Sequence, residues 1–120
     1  MKSIGFTLML FFTINCFAQS SNSHYKKVYQ FDVQHQDWAL VKTVANTYGF
    51  IDKSGKEVVQ AIYSKIYDFE IQKDGKKYAM IKNVAGAFGY IDENGKEIVE
   101  GIYWKKEEAI QKLNYYFTSK

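Results

Sequence analysis

The sequence predicts an all-β fold of tandem β-meander or hairpin repeats of about 40 residues each, with a short C-terminal helix, after an N-terminal signal peptide. Three observations predict it. Residues 38–65 align with residues 78–105 at a fixed offset of 40, without a gap, and 14 of the 28 aligned pairs are identical. Within each copy, short runs rich in aromatic and β-branched residues alternate with turns bearing Asn, Asp and Gly. The period falls in the range of repeat architectures, in which each unit buries its apolar face against the next.

The chain opens on Met1-Lys2-Ser3, and Ile4 to Phe17 then runs 14 residues without a charge. A small residue, Ala18, precedes Gln19. A charged start, an apolar stretch and a small residue at the cut form the order of a secretory signal peptide, with cleavage expected between Ala18 and Gln19. The run is short for a permanent membrane anchor, which needs about 20 apolar residues. The alternative is a lipoprotein anchored at Cys16, but Thr13-Ile14-Asn15 fits a lipoprotein cleavage sequence poorly. Residues 1–18 are therefore read as signal peptide, 19–24 as a polar, disordered leader, and 25–120 as the repeat domain. Loss of residues 1–18 removes the single Cys, which suits an oxidising compartment.

The repeat reaches back to the start of this domain. Tyr25-Lys26-Lys27-Val28-Tyr29-Gln30-Phe31 matches Tyr63-Ser64-Lys65-Ile66-Tyr67-Asp68-Phe69, so units begin at Tyr25 and Tyr63, and a partial one at Tyr103. Residues 38–42 and 78–82 read as strands, followed by Asn46-Thr47 or Gly86-Ala87 between strands, where Asn and Gly tolerate the positive φ of a tight turn. Residues 48–52 and 88–92 form the next strands. Asp52-Lys53-Ser54-Gly55 and Asp92-Glu93-Asn94-Gly95 have Asp first and Gly fourth, as a type I turn requires. Each leads into a short strand, Glu57-Val58-Val59 or Glu97-Ile98-Val99. Asp74-Gly75 reads as a two-residue hairpin turn, and Gln34-His35-Gln36-Asp37 as a surface turn. Ala109, Ile110, Leu113 and Phe117 stand at helical spacing, which predicts a terminal amphipathic helix that caps the last unit.

Tyr48-Gly49-Phe50-Ile51-Asp52-Lys53-Ser54-Gly55-Lys56-Glu57, continuing to Tyr63, resembles the WG repeat, a bacterial β-rich repeat. Phe88-Gly89-Tyr90-Ile91-Asp92-Glu93-Asn94-Gly95-Lys96-Glu97, continuing to Tyr103, is similar to it in the same way. The naming Trp is Tyr48 and Phe88 here, and the Pro pair of the family is Ala61-Ile62 and Gly101-Ile102. Large ring bodies are kept, while loss of Pro leaves the connection to the next unit less rigid. The resemblance implies a secreted or envelope-associated module that binds or displays an interaction surface, and it brings no catalytic residues.

Composition narrows the function. The 120 residues carry 16 basic and 13 acidic side chains, a net charge of +3, and every basic residue is Lys. A weak field and the lack of Arg argue against a nucleic-acid partner. Asp52 and Asp92 read as turn-starting residues that bond the backbone ahead of them rather than as acid/base or metal carboxylates. Gly49 and Gly89 read as a bulge or a close backbone approach, and Glu57 and Glu97 as solvated strand ends. His24 and His35 lack partners at zinc spacing, no serine sits in a nucleophile elbow, and no Gly-rich phosphate loop is present. The sequence therefore favours a non-enzymatic, secreted or periplasmic envelope protein without cofactor or metal, whose partner is a protein or an envelope component. Exposed sheet edges offer a route to self-association. Two alternatives use other residues. An envelope glycan or peptidoglycan binder would employ Trp104 and exposed tyrosines, and a small hydrolase would employ Asp52 with Glu57, or their copies. Which aromatic face is buried is not settled by the alternation of Phe50/Ile51 and Tyr90/Ile91.

Overall fold

A computed structural model describes residues 25–119; the expected signal peptide, its Ala18/Gln19 cut, Cys16 and the leader lie outside the described residues. Seven strands form one sheet: β1 (Tyr25–Phe31), β2 (Trp38–Thr43), β3 (Tyr48–Asp52), β4 (Glu57–Ile71), β5 (Lys77–Asn83), β6 (Phe88–Asp92) and β7 (Glu97–Tyr103), followed by helix α1 (Lys106–Thr118). Their spatial order equals their chain order, and every neighbouring pair is antiparallel. This is the meander that the sequence predicts.

One loop geometry closes five connections. In residues 43–47, 52–56, 72–76, 83–87 and 92–96, the first residue's N–H donates to the fifth residue's carbonyl, and the fourth residue's N–H donates back to the first carbonyl. The fourth residue takes a positive φ: Asn46, Gly55, Gly75, Gly86 and Gly95. That is a type I turn followed by a left-handed residue, the three-residue hairpin form. The loop at Asp74-Gly75 therefore contains Lys73 as well, which corrects the two-residue turn read from sequence. A side chain often locks the loop. Asp92 Oδ1 accepts the N–H groups of Asn94 and Lys96, both at 2.9 Å, and Asn83 Oδ1 accepts those of Ala85 and Ala87.

β4 is the main departure from the strand pattern read from sequence. The expected short strand Glu57-Val58-Val59 continues through Tyr63 to Ile71, making one strand of 15 residues. Its first half pairs with β3 and its second half with β5. Between Tyr63 and Val59 the register slips, because the β3 partners Tyr48 and Phe50 are only two residues apart. Extra residues at 60–62 bulge out and bend the strand. The same slip recurs in β7.

The bend stacks one unit on the other. Directly opposed residues share a sheet face, so Leu40 and Phe50 lie on one face, and Ala39 and Ile51 on the other. Trp38, Phe50 and Val59 of the first unit pack with Ala79, Ile81 and Ile91 of the second, with Phe69 beside them. The opposite face of the first unit, Ala39, Val41 and Ile51, is buried with Tyr25 and Phe31 of β1. Thus both faces of the β2–β3 hairpin are buried, each against a different layer.

α1 plays the part of a next unit. Glu107 and Glu108 sit in its first turn, where carboxylates complement the helix dipole. Ala109 and Leu113, four residues apart, are buried against Tyr78, Met80, Phe88 and Tyr90, and Tyr116 and Phe117 pack at the margin. Ile110 of the predicted apolar stripe is exposed instead.

Candidate functional site

The backbone of the repeat motif recurs in the two units, while the surroundings differ at the leading ring: Tyr48 is half-buried and Phe88 is buried against α1. Gly49 and Gly89 mark a close backbone approach. A Cβ on Gly49 would stand 2.4 Å from the Val59 carbonyl oxygen, and one on Gly89 would stand 2.3 Å from that of Val99. Ile51 and Ile91 are buried in the layers described above. Asp52 Oδ1 accepts from the N–H groups of Ser54 and Lys56, each at 3.0 Å, and from the Ser54 hydroxyl at 2.7 Å. The Ser54 hydroxyl, aided by those backbone N–H groups, holds the Asp52 carboxyl below its usual range. Gly55 and Gly95 occupy the left-handed loop positions, next to the exposed Lys56 and Lys96.

Glu57 and Glu97 are exposed, yet they do more than end a strand. The Tyr25 hydroxyl donates to Glu57 Oε2 at 2.6 Å, and the Tyr63 hydroxyl donates to Glu97 Oε1 at 2.5 Å. Glu97 Oε2 also accepts the Gly101 N–H at 2.9 Å. Burial, then the bond to Glu97, push the Tyr63 hydroxyl well above its ordinary value; Tyr25 behaves likewise with Glu57. These clasps tie the first residue of a unit to the last strand of the same unit. The carboxylates invoked for a hydrolase are thus engaged in loops and clasps. Among the described residues, no group of His, Cys, Asp and Glu is arranged to hold a metal ion.

His35 departs from the reading as a surface turn residue. Its ring stacks on Trp38 with centroids 3.7 Å apart and lies edge-on to Phe69. Nε2 lies 2.9 Å from the carbonyl oxygen of Glu93, and Nδ1 lies 2.8 Å from that of Gln36. The ring is a half-buried bridge between the β1–β2 loop and the second unit. Lys53 steadies the same loop through Asp32 at 3.2 Å and Asp37 at 3.5 Å.

The structure opens one aromatic cleft that sequence reasoning did not locate. Tyr29, Leu40, Tyr48, Ser64, Lys65 and Ile66 enclose about 290 Å³, just below the usual size of a small-ligand pocket. Lys27 Nζ lies 4.5 Å from the Tyr29 ring centre and Lys42 Nζ lies 5.6 Å from that of Tyr48, within cation–π range. In the second unit the matching rings are Tyr67 and Phe88. There Lys106, the first residue of α1, reaches over them at 4.8 and 5.9 Å. The cap therefore narrows the second cleft to about 180 Å³ beside Tyr67, Met80 and Lys106, while the first stays wider. Trp104 is exposed beside the cap.

A meander whose two units share the loops 43–47/83–87 and 52–56/92–96, the close-approach glycines Gly49/Gly89 and the tyrosine–glutamate clasps is a tandem antiparallel β-repeat. The family model described as "WG containing repeat" matches residues 48–83 and 88–103, so these two segments are WG repeats. No curated protein and no solved structure matches the chain.

Proposed function

We propose that this protein is a non-enzymatic interaction module, exported by its leader and working in the cell envelope or outside it. The observation that carries the reading is the open cleft at Tyr29, Tyr48 and Lys65, whose counterpart is narrowed by α1. It offers two aromatic walls and a lysine-rich border, chemistry suited to a ring or a carboxylate-bearing side chain of a protein or envelope component. The role of Asp52, Asp92, Glu57 and Glu97 inside the fold supports a binding rather than a catalytic reading. Lysines without arginine, at low net charge, support a partner other than nucleic acid.

Cross-linking in intact cells, followed by identification of the captured species, tests this. A specific envelope partner should be captured by the wild-type chain and lost on Tyr48→Ser. Capture that is indifferent to Tyr48→Ser and Tyr29→Ser, or no capture at all, overturns the reading. A second reading, glycan or peptidoglycan binding, is favoured by the exposure of Trp104. It expects retention on purified wall material that falls on Trp104→Ala, and retention unchanged by that substitution removes it.

A further inference from the structure

We propose that the rim of the sheet on which both units turn is a docking surface for an anionic lipid bilayer. Strand register defines this rim. Tyr25 lies opposite Thr43, Tyr48 opposite Tyr63, Tyr63 opposite Asn83, and Phe88 opposite Tyr103, so one row crosses all seven strands. Beyond the row project loops 43–47 and 83–87 and the strand bulges at 60–62 and 100–102. Each loop is fastened to its bulge: the Thr47 hydroxyl donates to the Ala61 carbonyl, and Asn83 Nδ2 donates to the Gly101 carbonyl, both at 2.7 Å. The rim is therefore a rigid edge.

Its chemistry differs from that of the opposite rim at matched positions. The second residue of the shared loop is Val44 or Val84 on this rim, 76% and 71% exposed. In the loops of the opposite rim the same position holds Lys53, Lys73 and Glu93. Loop apices ordinarily carry polar residues, so a repeated valine there is unexplained by folding. Ile62 and Ile102, 50% and 55% exposed, stand at the two bulges, and Trp104, 67% exposed, ends the line. The exposed lysines Lys26, Lys27, Lys65, Lys105 and Lys106 flank these side chains. Residues 41–49, 61–66, 81–89 and 101–106 contain no Asp or Glu; Glu100 stands exposed in the second bulge, and the Glu57 and Glu97 carboxylates accept from the Tyr25 hydroxyl and from the Tyr63 hydroxyl and Gly101 N–H, whereas Asp32, Asp37, Asp52, Asp74 and Asp92 gather at the other rim. Both ion pairs found among the described residues lie at that other rim, on Lys53.

Separate aliphatic tips and one Trp, set along an edge among lysines whose contacts are aromatic rings and an amide rather than carboxylates, fit a flat, deformable, negatively charged surface. The lysines meet lipid phosphates while Val, Ile and Trp enter the headgroup boundary. No helix among the described residues is long and apolar enough to cross a membrane, and docking of this kind needs none. The rim shares Tyr48 and Lys65 with the border of the Tyr29–Tyr48 cleft, whereas Val44, Val84, Lys105 and Lys106 do not line that cleft, so variants at those four positions test the rim apart from it.

The test is co-sedimentation of the full chain, as purified from the cells that make it, with vesicles of phosphatidylcholine alone or mixed with phosphatidylglycerol. Binding should require the anionic lipid, weaken strongly at 1 M salt (about a 3 Å screening length), and shift Trp104 emission to the blue. Each lysine at the surface is worth roughly a fivefold change in partitioning, so Lys105→Gln with Lys106→Gln should lower binding about 25-fold. Val44→Ser with Val84→Ser should lower binding with thermal stability unchanged, and Lys53→Gln with Lys73→Gln, on the opposite rim, should not. No binding to anionic vesicles, or binding untouched by the rim variants, overturns the proposal. Rim variants that keep vesicle binding but lose a cross-linked protein would assign the rim to a protein partner and overturn it as well.

Discussion

Gly89→Ala isolates the close approach between β6 and β7. Gly89 sits opposite Ile81 in a regular strand, and its φ lies outside the left-handed region. Freed of sterics, alanine there would stabilise the chain by roughly 0.4–1 kcal/mol, through a less flexible unfolded state. The native backbone forbids that gain. The new Cβ would stand 2.3 Å from the Val99 carbonyl oxygen, 2.8 Å from the Gly101 nitrogen and 2.9 Å from the Glu100 carbonyl carbon. Ordinary contact begins near 3.4 Å, and all three atoms are backbone, so the strands must part by about 1 Å. Overpacking costs about 1–3 kcal/mol, and weakening one or two ladder hydrogen bonds adds about 1 kcal/mol each. A loss of about 3 kcal/mol is expected. At a urea slope near 2 kcal/mol/M it lowers the midpoint by about 1.5 M, read from fluorescence of the buried Trp38. Gly75→Ala is the control. No atom lies within 4 Å of its Cβ position, and only its φ of +82° resists, so about 1–2 kcal/mol is expected. Unchanged or raised stability in Gly89→Ala, or a loss no larger than that of Gly75→Ala, would refute the close-packing argument.

Other expectations follow from the loops, clasps and cap. Asp92→Ala removes the acceptor for two backbone N–H groups and should cost about 1–2 kcal/mol in urea unfolding, with Asp92→Asn recovering most of it. The Asp52 carboxyl is depressed in the folded chain, so its stabilisation is present above its ordinary value of 3.8 and lost as pH falls through the folded value. Asp52→Asn should flatten the acid limb of the Tm–pH curve. The Tyr63 hydroxyl is raised, so its contribution is complete below its ordinary value of 10.0 and lost as pH rises through the higher folded value. Tyr63→Phe should lower stability by about 1–2 kcal/mol at neutral pH and weaken the alkaline loss. Leu113→Ala hollows the contact of α1 with Tyr78 and Met80 and should cost about 2–5 kcal/mol by thermal melting.

What the sequence made legible was local. Asp at the first position and Gly at the fourth dictate a turn whatever surrounds them, so loops 52–56 and 92–96 were readable. The i, i+4 pair Ala109 and Leu113 made α1 readable in the same way. What stayed hidden depends on residues far apart in the chain. The hydroxyl of Tyr25 finds Glu57 across 32 residues, and that of Tyr63 finds Glu97 across 34, so the glutamates looked merely solvated. His35 lies among polar neighbours and reads as surface, until the second unit brings the Glu93 carbonyl against it. The continuity of β4 was masked because its bulge places Ala61 and Ile62 out of alternation. The question of which aromatic face is buried had no local answer, since the β2–β3 hairpin is covered on both sides. The open cleft depends on α1 packing against the second unit rather than the first, which no motif encodes.

The passage of β4 through both units has a consequence for how the protein comes apart. In arrays whose repeats are joined by free segments, an end repeat can melt and leave its neighbour standing. Here the hydrogen bonds of a single strand serve two hairpins, so releasing either one strips an edge of the other. The pair is expected to denature in one all-or-none step, to offer proteases no exposed hinge between repeats, and to endure or perish as a unit.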